Sequence, residues 1–319
     1  MAKPKQEIEY NPQVVHIEEY QQDIEPYWKE IGGEKSIFRA AFKTQRPLAF
    51  KGPTGCGKTT FVKRMHWELS KELSKEKFTP KYSYDDKTGL YIKNDKSSEQ
   101  SPYFPLYIID GTEDTDVIQI YGGLNHTGKY IGGPLYHWAH TGGILLVNEL
   151  AEMRSDVQTA FHTPMDKDRT VTFLDLEKIV KIPEHAMIVA TYNPGYQKKL
   201  APVKTSTKQR LLHLKFNYPD AETETDIIYN ASKIKDRQID KKTAKALADL
   251  AVKIRSSDKE KSILATREGV STRLLVMAAE LITYGTSPLE ACRAAIIEPL
   301  ANNDKEAEAL ESLIKLSGF

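Results

Sequence analysis

Residues 52–59 are Gly-Pro-Thr-Gly-Cys-Gly-Lys-Thr, in which Gly52, Gly57, Lys58 and Thr59 have the spacing G-x-x-x-x-G-K-T. A loop of this kind wraps its backbone N–H groups around phosphates, because glycine adopts the turn conformations that the wrapping requires. We expect Lys58 to reach the β and γ phosphates of a nucleoside triphosphate and Thr59 to hold Mg²⁺. The residues expected at this site are Gly52, Pro53, Thr54, Gly55, Cys56, Gly57, Lys58, Thr59 and Thr60.

The elements around this loop are those that the motif needs. Residues 47–50 are apolar and predict a short buried strand, and residues 60–69 predict a helix with Phe61, Met65 and Leu69 at helical spacing. The N-terminus of that helix adds the positive end of its dipole to the phosphate site. This setting favours a phosphate-binding loop over a chance run of glycines.

A second motif, Asn148-Glu149, follows an apolar strand predicted over residues 144–147. Nucleotide hydrolases of this type carry an acidic pair there, at the carboxyl end of the strand beside the phosphate loop. Glu149 can act as a general base on water, whereas Asn148 offers Mg²⁺ a neutral carbonyl oxygen. Two interpretations stay open. Either Thr59 and the phosphates hold the ion with somewhat weaker affinity, or the site binds nucleotide and turns it over poorly.

The next predicted strand, residues 187–191, leads into Tyr192-Asn193-Pro194-Gly195. This places the amide of Asn193 near the expected γ phosphate as a phosphate sensor, although Asn-Pro-Gly alone is also a common turn. The eight histidines and two cysteines show neither metal-ligand spacing nor a Ser-His-Asp or Cys-His arrangement. Oxidation of Cys56 could block nucleotide, but a small filler residue is the simpler interpretation.

Composition narrows the choice of partners. The chain has 319 residues, 40% of them hydrophobic, and its 45 Lys and Arg balance 44 Asp and Glu for a formal charge of +1. This balance gives no electrostatic argument for nucleic acid or for an acidic membrane surface. Because residues 1–6 are polar and no apolar run reaches membrane-spanning length, we expect no signal peptide, no membrane segment and a cytoplasmic location.

The order of predicted elements indicates an α/β fold. Five apolar strands, the last over residues 211–216, alternate with helical segments, as is typical of a mostly parallel sheet flanked by helices. Beyond Pro219 and Asp220 the pattern is helical. We therefore predict a flexible arm over residues 1–26, an α/β nucleotide-binding domain over 27–219 with an inserted hairpin at 78–104, and a small all-α lid domain over 220–319.

Five ordered motifs carry a resemblance to a known family. They are residues 52–59, Gly133-Pro134-Leu135 ahead of the Asn148-Glu149 motif, Tyr192-Asn193-Pro194-Gly195-Tyr196, Ser206-Thr207-Lys208-Gln209-Arg210 and Ser271-Thr272-Arg273-Leu274-Leu275-Val276. Over residues 27–300 the chain resembles the MoxR group of AAA+ ATPases, and within it the CbbQ/NirQ/NorQ type. The resemblance implies a P-loop NTPase fold that uses ATP and Mg²⁺.

The resemblance also implies roles for two arginines. Arg210 matches the arginine finger that reaches a neighbouring subunit's nucleotide, and Arg273 matches the second sensor, which contacts the γ phosphate from the helical domain. A guanidinium suits either role because its five donors neutralise charge spread over phosphoryl oxygens, while a surface salt bridge is the alternative for each. The expected catalytic residues are Lys58, Glu149, Asn193, Arg210 and Arg273, with Arg273 also binding nucleotide and Thr59 and Asn148 at the metal.

Similar proteins form rings that act on other proteins. The resemblance implies a hexamer that couples ATP hydrolysis to remodelling or activating a client enzyme, a metalloenzyme or a carbon-fixing enzyme, together with a partner that has a von Willebrand factor A domain. The glycine-rich, aromatic segment 121–138 is the candidate for a moving loop that touches the substrate.

Two features depart from the family pattern. Asn148 stands where the family has aspartate, which bears on magnesium affinity and turnover, and the hairpin at 78–104 is longer than the family's connection. That hairpin is either a partner-specific surface or an inert insertion. The alternative functions are a P-loop kinase, a nucleotide-binding switch with little hydrolysis and a DNA motor.

Overall fold

The computed structural model of this chain describes residues 25–73, 82–93, 104–194, 203–257 and 269–319. The predicted N-terminal arm lies outside the described residues except for Glu25 and Pro26. Both flanks of the predicted hairpin insertion, residues 78–81 and 94–103, lie outside them too.

The elements follow the predicted alternation of strands and helices. The strands are β1 (Leu48–Lys51), β2 (Tyr82–Asp85), β3 (Leu90–Lys93), β4 (Leu106–Asp110), β5 (Gly122–Leu124), β6 (Tyr130–Gly132), β7 (Gly143–Asn148), β8 (Thr170–Phe173), β9 (Lys178–Lys181), β10 (Ala186–Tyr192) and β11 (Leu212–Lys215). The helices are α1 (Glu34–Lys43), α2 (Lys58–Leu73), α3 (Val117–Tyr121), α4 (Pro134–Thr141), α5 (His162–Met165), α6 (Thr205–Lys208), α7 (Ala221–Ala231), α8 (Lys241–Ser257), α9 (Thr272–Thr283), α10 (Pro288–Cys292), α11 (Glu298–Leu300) and α12 (Asp304–Leu316). Within the described ranges, none of these helices has both the length and the apolar character that spanning a bilayer requires.

The central sheet is parallel, with the strand order β11-β1-β10-β7-β4. The predicted α/β fold is thus confirmed. Because the strands are parallel, their carboxyl ends share one edge of the sheet, where ligands bind in folds of this class. The phosphate loop after β1, Asp110 at the end of β4, Asn148 at the end of β7 and Asn193 after β10 therefore come to the same edge.

Both faces of the sheet are covered, which fixes that edge in place. In β7, Ile144 and Leu146 pack with Phe61 of α2 on one face, whereas Leu145 and Val147 join the core on the other face. Successive side chains of a strand point to opposite faces, so a continuous apolar run serves two cores. The segment that carries Asn148 and Glu149 is held from both sides.

The β2–β3 hairpin lies inside the predicted insertion and pairs in antiparallel fashion. Tyr91 fastens it to α4, since the Tyr91 ring stacks 4.5 Å from the His140 ring and Tyr91 Oη lies 3.1 Å from His137 Nδ1. Tyr91 is buried and Ile92 is exposed. One face of the hairpin is therefore core, and the other faces solvent.

The glycine-rich segment 121–138 keeps its aromatic side chains inside the protein. Tyr130, Tyr136 and Trp138 are only 2%, 1% and 1% exposed, because they pack in the core beneath the sheet. The side chains that this segment does expose are aliphatic, namely Leu124 and Ile131 of the β5–β6 hairpin.

Helices α7 to α12 contribute to a second core of their own. Where α7, α8 and α9 meet, the carboxylate of Glu224 is 0% exposed and accepts two hydrogen bonds of 2.8 Å from Arg255 and one of 2.5 Å from Thr272 Oγ1. A π-helical stretch, Arg293–Ile297, joins α10 to α11. The last helix, α12, lies inside the all-α region predicted over residues 220–319, and the Asn303 side chain caps its N-terminus.

Candidate nucleotide-binding site

A cavity of about 360 Å³ opens between the phosphate loop and helices α7 and α9. This volume lies within the range of small-molecule sites. Residues 54–60 and Glu149 line it on the sheet side. The other walls are formed by Tyr27, Trp28, Lys29 and Ile31 before α1, by Ile227 and Ala231 of α7, and by Arg273, Val276, Met277 and Glu280 of α9.

Two glycines fix the shape of the phosphate loop. Gly55 and Gly57 have φ angles of 69° and 95°, in a region that other residues disfavour. A Cβ on Gly55 would lie 2.7 Å from Ser271 Oγ, and one on Gly57 would lie 3.0 Å from the Trp28 ring. The loop is thus held between the segment before α1 and the start of α9.

Lys58 begins α2 and is 6% exposed. Its Nζ donates to the carbonyls of Gly52 and Pro53, at 2.8 Å each. The first turn of α2, which the structure describes completely, has no acidic residue to offset the positive end of the helix dipole. Positive charge is therefore concentrated where a triphosphate would lie.

Asn148 joins three neighbours at the end of β7. Its Oδ1 accepts hydrogen bonds from Thr59 Oγ1 at 3.2 Å and Thr191 Oγ1 at 3.4 Å, and its Nδ2 donates to Asp110 Oδ1 at 2.8 Å. The structure thus brings the two expected metal ligands together. It adds Asp110, the last residue of β4.

The donor atoms at this point suit magnesium. The Thr59 hydroxyl and the Asn148 carbonyl are oxygen donors, which Mg²⁺ prefers, and Mg²⁺ generally keeps several water molecules beside one or two protein ligands and the substrate phosphates. The described part of the chain has no group of three or more His, Cys, Asp or Glu side chains arranged for a metal. An ion held largely through nucleotide phosphates needs no such group.

Glu149 combines two costly features. Its φ is 48°, and its Oε2 is buried without a hydrogen-bond partner among the described residues. Each such feature costs on the order of 1–3 kcal/mol. An unpaired acceptor on the wall of the cavity is free to receive a hydrogen bond from water. Burial, and then the nearby Glu149 charge, raise the pKa of Glu152.

Asn193 contacts the phosphate loop directly. It is buried, and its Nδ2 donates to Thr54 Oγ1 at 3.2 Å. This contact places the expected phosphate sensor against the loop.

The two expected arginines lie in different places. Arg273, in the first turn of α9, lines the cavity. Arg210 is not among the described residues that line it; its Nε donates to Asp166 Oδ1 at 2.7 Å and its NH1 to the Ser206 carbonyl at 2.9 Å. The second sensor position therefore faces this chain's own cavity, and the finger position does not.

Sequence reasoning missed several residues that support the site. Trp28 forms a wall, with its ring 4.9 Å from that of Phe61 and its Nε1 donating to Glu34 at 3.0 Å. Tyr218 Oη donates to the Thr54 carbonyl at 2.9 Å. In the sequence Trp28 stands out only as an apolar residue ahead of the first strand, and Tyr218 has no comparable signal.

Cys56 is buried in the core under the loop. Burial raises the pKa of its thiol and so disfavours the reactive thiolate. The interpretation of Cys56 as a small filler residue is therefore the better supported one.

Comparisons with known proteins cover both parts of the chain. The model of the AAA domain, dynein-related subfamily, matches residues 47–211, and the CbbQ/NirQ/NorQ C-terminal model matches residues 224–317. Protein CbbQ of Hydrogenophilus thermoluteolus is 34% identical over 90% of this chain and 93% of its own length. Denitrification regulatory protein NirQ of Pseudomonas aeruginosa is 31% identical over 92% of this chain and 98% of its own length. Protein NorQ of Paracoccus denitrificans is 32% identical over 90% of this chain and 92% of its own length. With its phosphate loop, its strand-end motifs and its helical region all inside these matches, the chain belongs to the CbbQ/NirQ/NorQ family of AAA+ ATPases.

Proposed function

We propose that this chain assembles into a ring, a hexamer, in which ATP binding and hydrolysis drive the remodelling or activation of a client enzyme. The separation of the two arginines carries the proposal. Arg273 lies at the chain's own cavity, whereas Arg210 is anchored on Asp166 outside it. A finger arginine that does not serve its own site can complete the site of an adjacent copy, so hydrolysis would depend on assembly.

Within one copy, different residues bind the nucleotide, activate water and stabilise the charge on the phosphoryl oxygens. Lys58 and the loop N–H groups bind the triphosphate, Glu149 orients and deprotonates the attacking water, and Arg273 stabilises charge on the phosphoryl oxygens. Asn193, through Thr54, couples the loop to the end of β10. Thr59 and Asn148 would hold Mg²⁺, which supplies positive charge against the phosphates.

The remaining walls of the cavity suit the adenine base of a nucleotide. Tyr27 and Ile31 on one side face Ile227 and Met277 on the other, an apolar lining that fits an adenine ring. Lys29 and Asp226 join the same two sides through an ion pair of 2.6 Å. Bound nucleotide would therefore touch the segment before α1, the phosphate loop and the helical region at once.

The client is proposed to be a metalloenzyme or a carbon-fixing enzyme, with a von Willebrand factor A domain protein as the partner in the cytoplasm. The relative from Pseudomonas aeruginosa is called a denitrification regulatory protein, and this name supports a regulatory action on a client enzyme. The formal charge of +1 supports a protein client over nucleic acid.

The test compares assembly with turnover. The parent should form a larger species with ATP and Mg²⁺ at micromolar concentration, and its specific ATPase activity should rise as it assembles. Arg210→Ala should assemble and bind nucleotide but lose on the order of 10³-fold in turnover. Lys167→Ala, which removes an exposed cation beside Asp166, is the matched control. If the protein is fully active as a monomer and Arg210→Ala has the same ATPase activity as the parent, the ring proposal is wrong and the kinase alternative is favoured.

A second experiment identifies the client. Glu149→Gln should bind ATP as the parent does and fail to hydrolyse it, which holds the client complex in its ATP-bound form. Proteins that co-purify with this variant, and not with Lys58→Ala, are the client candidates.

A further inference from the structure

We propose that Asp110 is a positioning residue of the magnesium site, supplying from the neighbouring strand the negative charge that position 148 lacks. The inference rests on the proposed binding of a magnesium nucleotide, but it depends on neither turnover nor assembly.

The geometry of the pair is well defined. Asp110 ends β4 and Asn148 ends β7, and the two residues are directly opposite each other in the parallel register. Asn148 Nδ2 donates to Asp110 Oδ1 at 2.8 Å, a hydrogen bond strengthened by the charge of its acceptor. The next residue, Gly111, donates its N–H to the Asn148 carbonyl at 2.9 Å, so the backbone also fixes the two strand ends together.

Asp110 decides which atom Asn148 presents to the metal. A carboxylate only accepts hydrogen bonds, so the amide nitrogen of Asn148 must face Asp110. Its Oδ1 is then directed at Thr59 Oγ1, 3.2 Å away. Without the carboxylate, the amide could rotate and turn its N–H groups toward a cation, which they repel.

Asp110 also restores the charge. Together Asp110 and Asn148 carry the single negative charge that an aspartate at position 148 would carry, displaced by about 5 Å, one strand spacing. Because Coulomb attraction falls only as the inverse of distance, a carboxylate one strand away still stabilises a divalent cation. The Asn148 departure is thus a relocation of the acid rather than its loss.

This relocation makes the two positions interdependent. Asn148→Asp alone would place a second carboxylate at hydrogen-bonding distance from Asp110 and replace an attraction by a repulsion between like charges. The aspartate of the family pattern should therefore bring no gain in this chain. The exchange variant Asp110→Asn/Asn148→Asp returns the pair to one carboxylate and one amide, and it should recover what each single change loses.

The test measures metal binding without turnover. The parent and each variant are mixed with fluorescently labelled ADP, and Mg²⁺ is added stepwise while nucleotide binding is followed by fluorescence. The affinity for labelled ADP is also measured in EDTA, without free Mg²⁺. With Mn²⁺ in place of Mg²⁺, electron paramagnetic resonance reports ion binding directly. Asp110→Asn should weaken the apparent Mg²⁺ affinity about 10- to 100-fold, as losing a metal's supporting carboxylate does. ADP affinity in EDTA should stay at the parent value, which also shows that the variant is folded.

Asp114→Asn removes an equal charge from the same exposed turn and should leave Mg²⁺ affinity unchanged, and the exchange variant should bind Mg²⁺ within about threefold of the parent. Parent-like Mg²⁺ affinity in Asp110→Asn, or a gain in Asn148→Asp with Asp110 present, overturns the inference and leaves the proposed function standing. A parent that binds no nucleotide overturns both.

Discussion

Tyr218 Oη donates a hydrogen bond of 2.9 Å to the carbonyl of Thr54, which ties the phosphate loop to the chain that leads into the helical region. The Arg255 guanidinium lies 4.0 Å from the centre of the Tyr218 ring, and Arg255 pairs with the buried Glu224. Glu224 in turn accepts from Thr272, the neighbour of Arg273 in α9. Polar contacts therefore run from the phosphate loop to the second sensor position.

Tyr218→Phe isolates the first of these contacts. The ring stays in place for Arg255, and the hydrogen bond to the loop is lost. Nucleotide affinity should fall about fivefold, which corresponds to roughly 1 kcal/mol for one hydrogen bond. The measurement is a binding titration with labelled ATP analogue. Tyr284→Phe, on an exposed tyrosine whose ring lies beneath Arg237, is the control. Equal affinity of Tyr218→Phe and the parent would contradict the link.

Glu224→Ala tests the ion pair beneath α7, α8 and α9. The change leaves the Arg255 charge without its partner in a site where Glu224 is fully buried. Removing one member of such a pair generally costs about 3–5 kcal/mol in the free energy of unfolding. Urea unfolding should show this loss. Glu311→Ala, which breaks the exposed pairs with Arg293 and Lys315, should change little. A similar small effect of both changes would show that the buried pair stabilises nothing.

Asp166→Asn tests how Arg210 is held. The carboxylate orients the guanidinium at 2.7 Å, and an amide accepts fewer hydrogen bonds and carries no charge. We expect turnover of the assembled protein to fall about 10- to 100-fold through misplacement of the arginine, with nucleotide affinity unchanged. Adding Arg210→Ala should cost no more than Arg210→Ala alone, because the two residues act as one unit. If the losses of turnover add in the double variant, Asp166 and Arg210 do not act as one unit. Asp168→Asn, at an exposed aspartate, is the control.

Acid should destabilise the fold through a buried histidine. Burial lowers the pKa of His140 from 6.5 to about 4, while its Nδ1 lies 2.8 Å from the Tyr136 carbonyl as a donor. Since the unfolded chain then takes up a proton between pH 6.5 and about 4 and the folded chain does not, the free energy of unfolding falls as the pH is lowered through this window, by up to about 3 kcal/mol.

Unfolding measured at several pH values checks this. His140→Asn keeps a donor for the carbonyl and removes the titration, so its stability should vary less between pH 6.5 and 4 than that of the parent. Burial also lowers the pKa of His66, which accounts for part of the slope that remains. The same slope in His140→Asn and the parent would exclude His140 as a source, and His126→Asn serves as the exposed control.

The sequence predicted the sheet well because each strand is a local apolar run. The strand expected over residues 144–147 is Gly143–Asn148, and the last strand, expected over 211–216, is Leu212–Lys215. The burial of the aromatic side chains in the glycine-rich segment could not be read from the sequence. It depends on β3, which is distant in sequence and donates the Tyr91 N–H to the Tyr136 hydroxyl at 3.1 Å.

The site was predictable where its chemistry is contiguous in sequence, as in residues 52–59, and not where it depends on packing. Asp110 lies 38 residues from Asn148, and Asp166 lies 44 from Arg210. An aspartate after an apolar strand has many ordinary uses, including helix capping, which Asp116 does perform for α3. Only the strand order, which sets β4 beside β7, shows which aspartate faces Asn148.

The left-handed backbone at Glu149 lowers the stability of the fold at a residue that the proposed activity needs. Glycine at this position would relieve the strain of the φ of 48° and remove the buried Oε2 that lacks a partner among the described residues. The free energy of unfolding should therefore rise when this side chain is lost. A screen for heat-resistant variants of this chain would consequently discard its proposed general base. Selection for turnover must therefore accompany any engineering of a thermostable form.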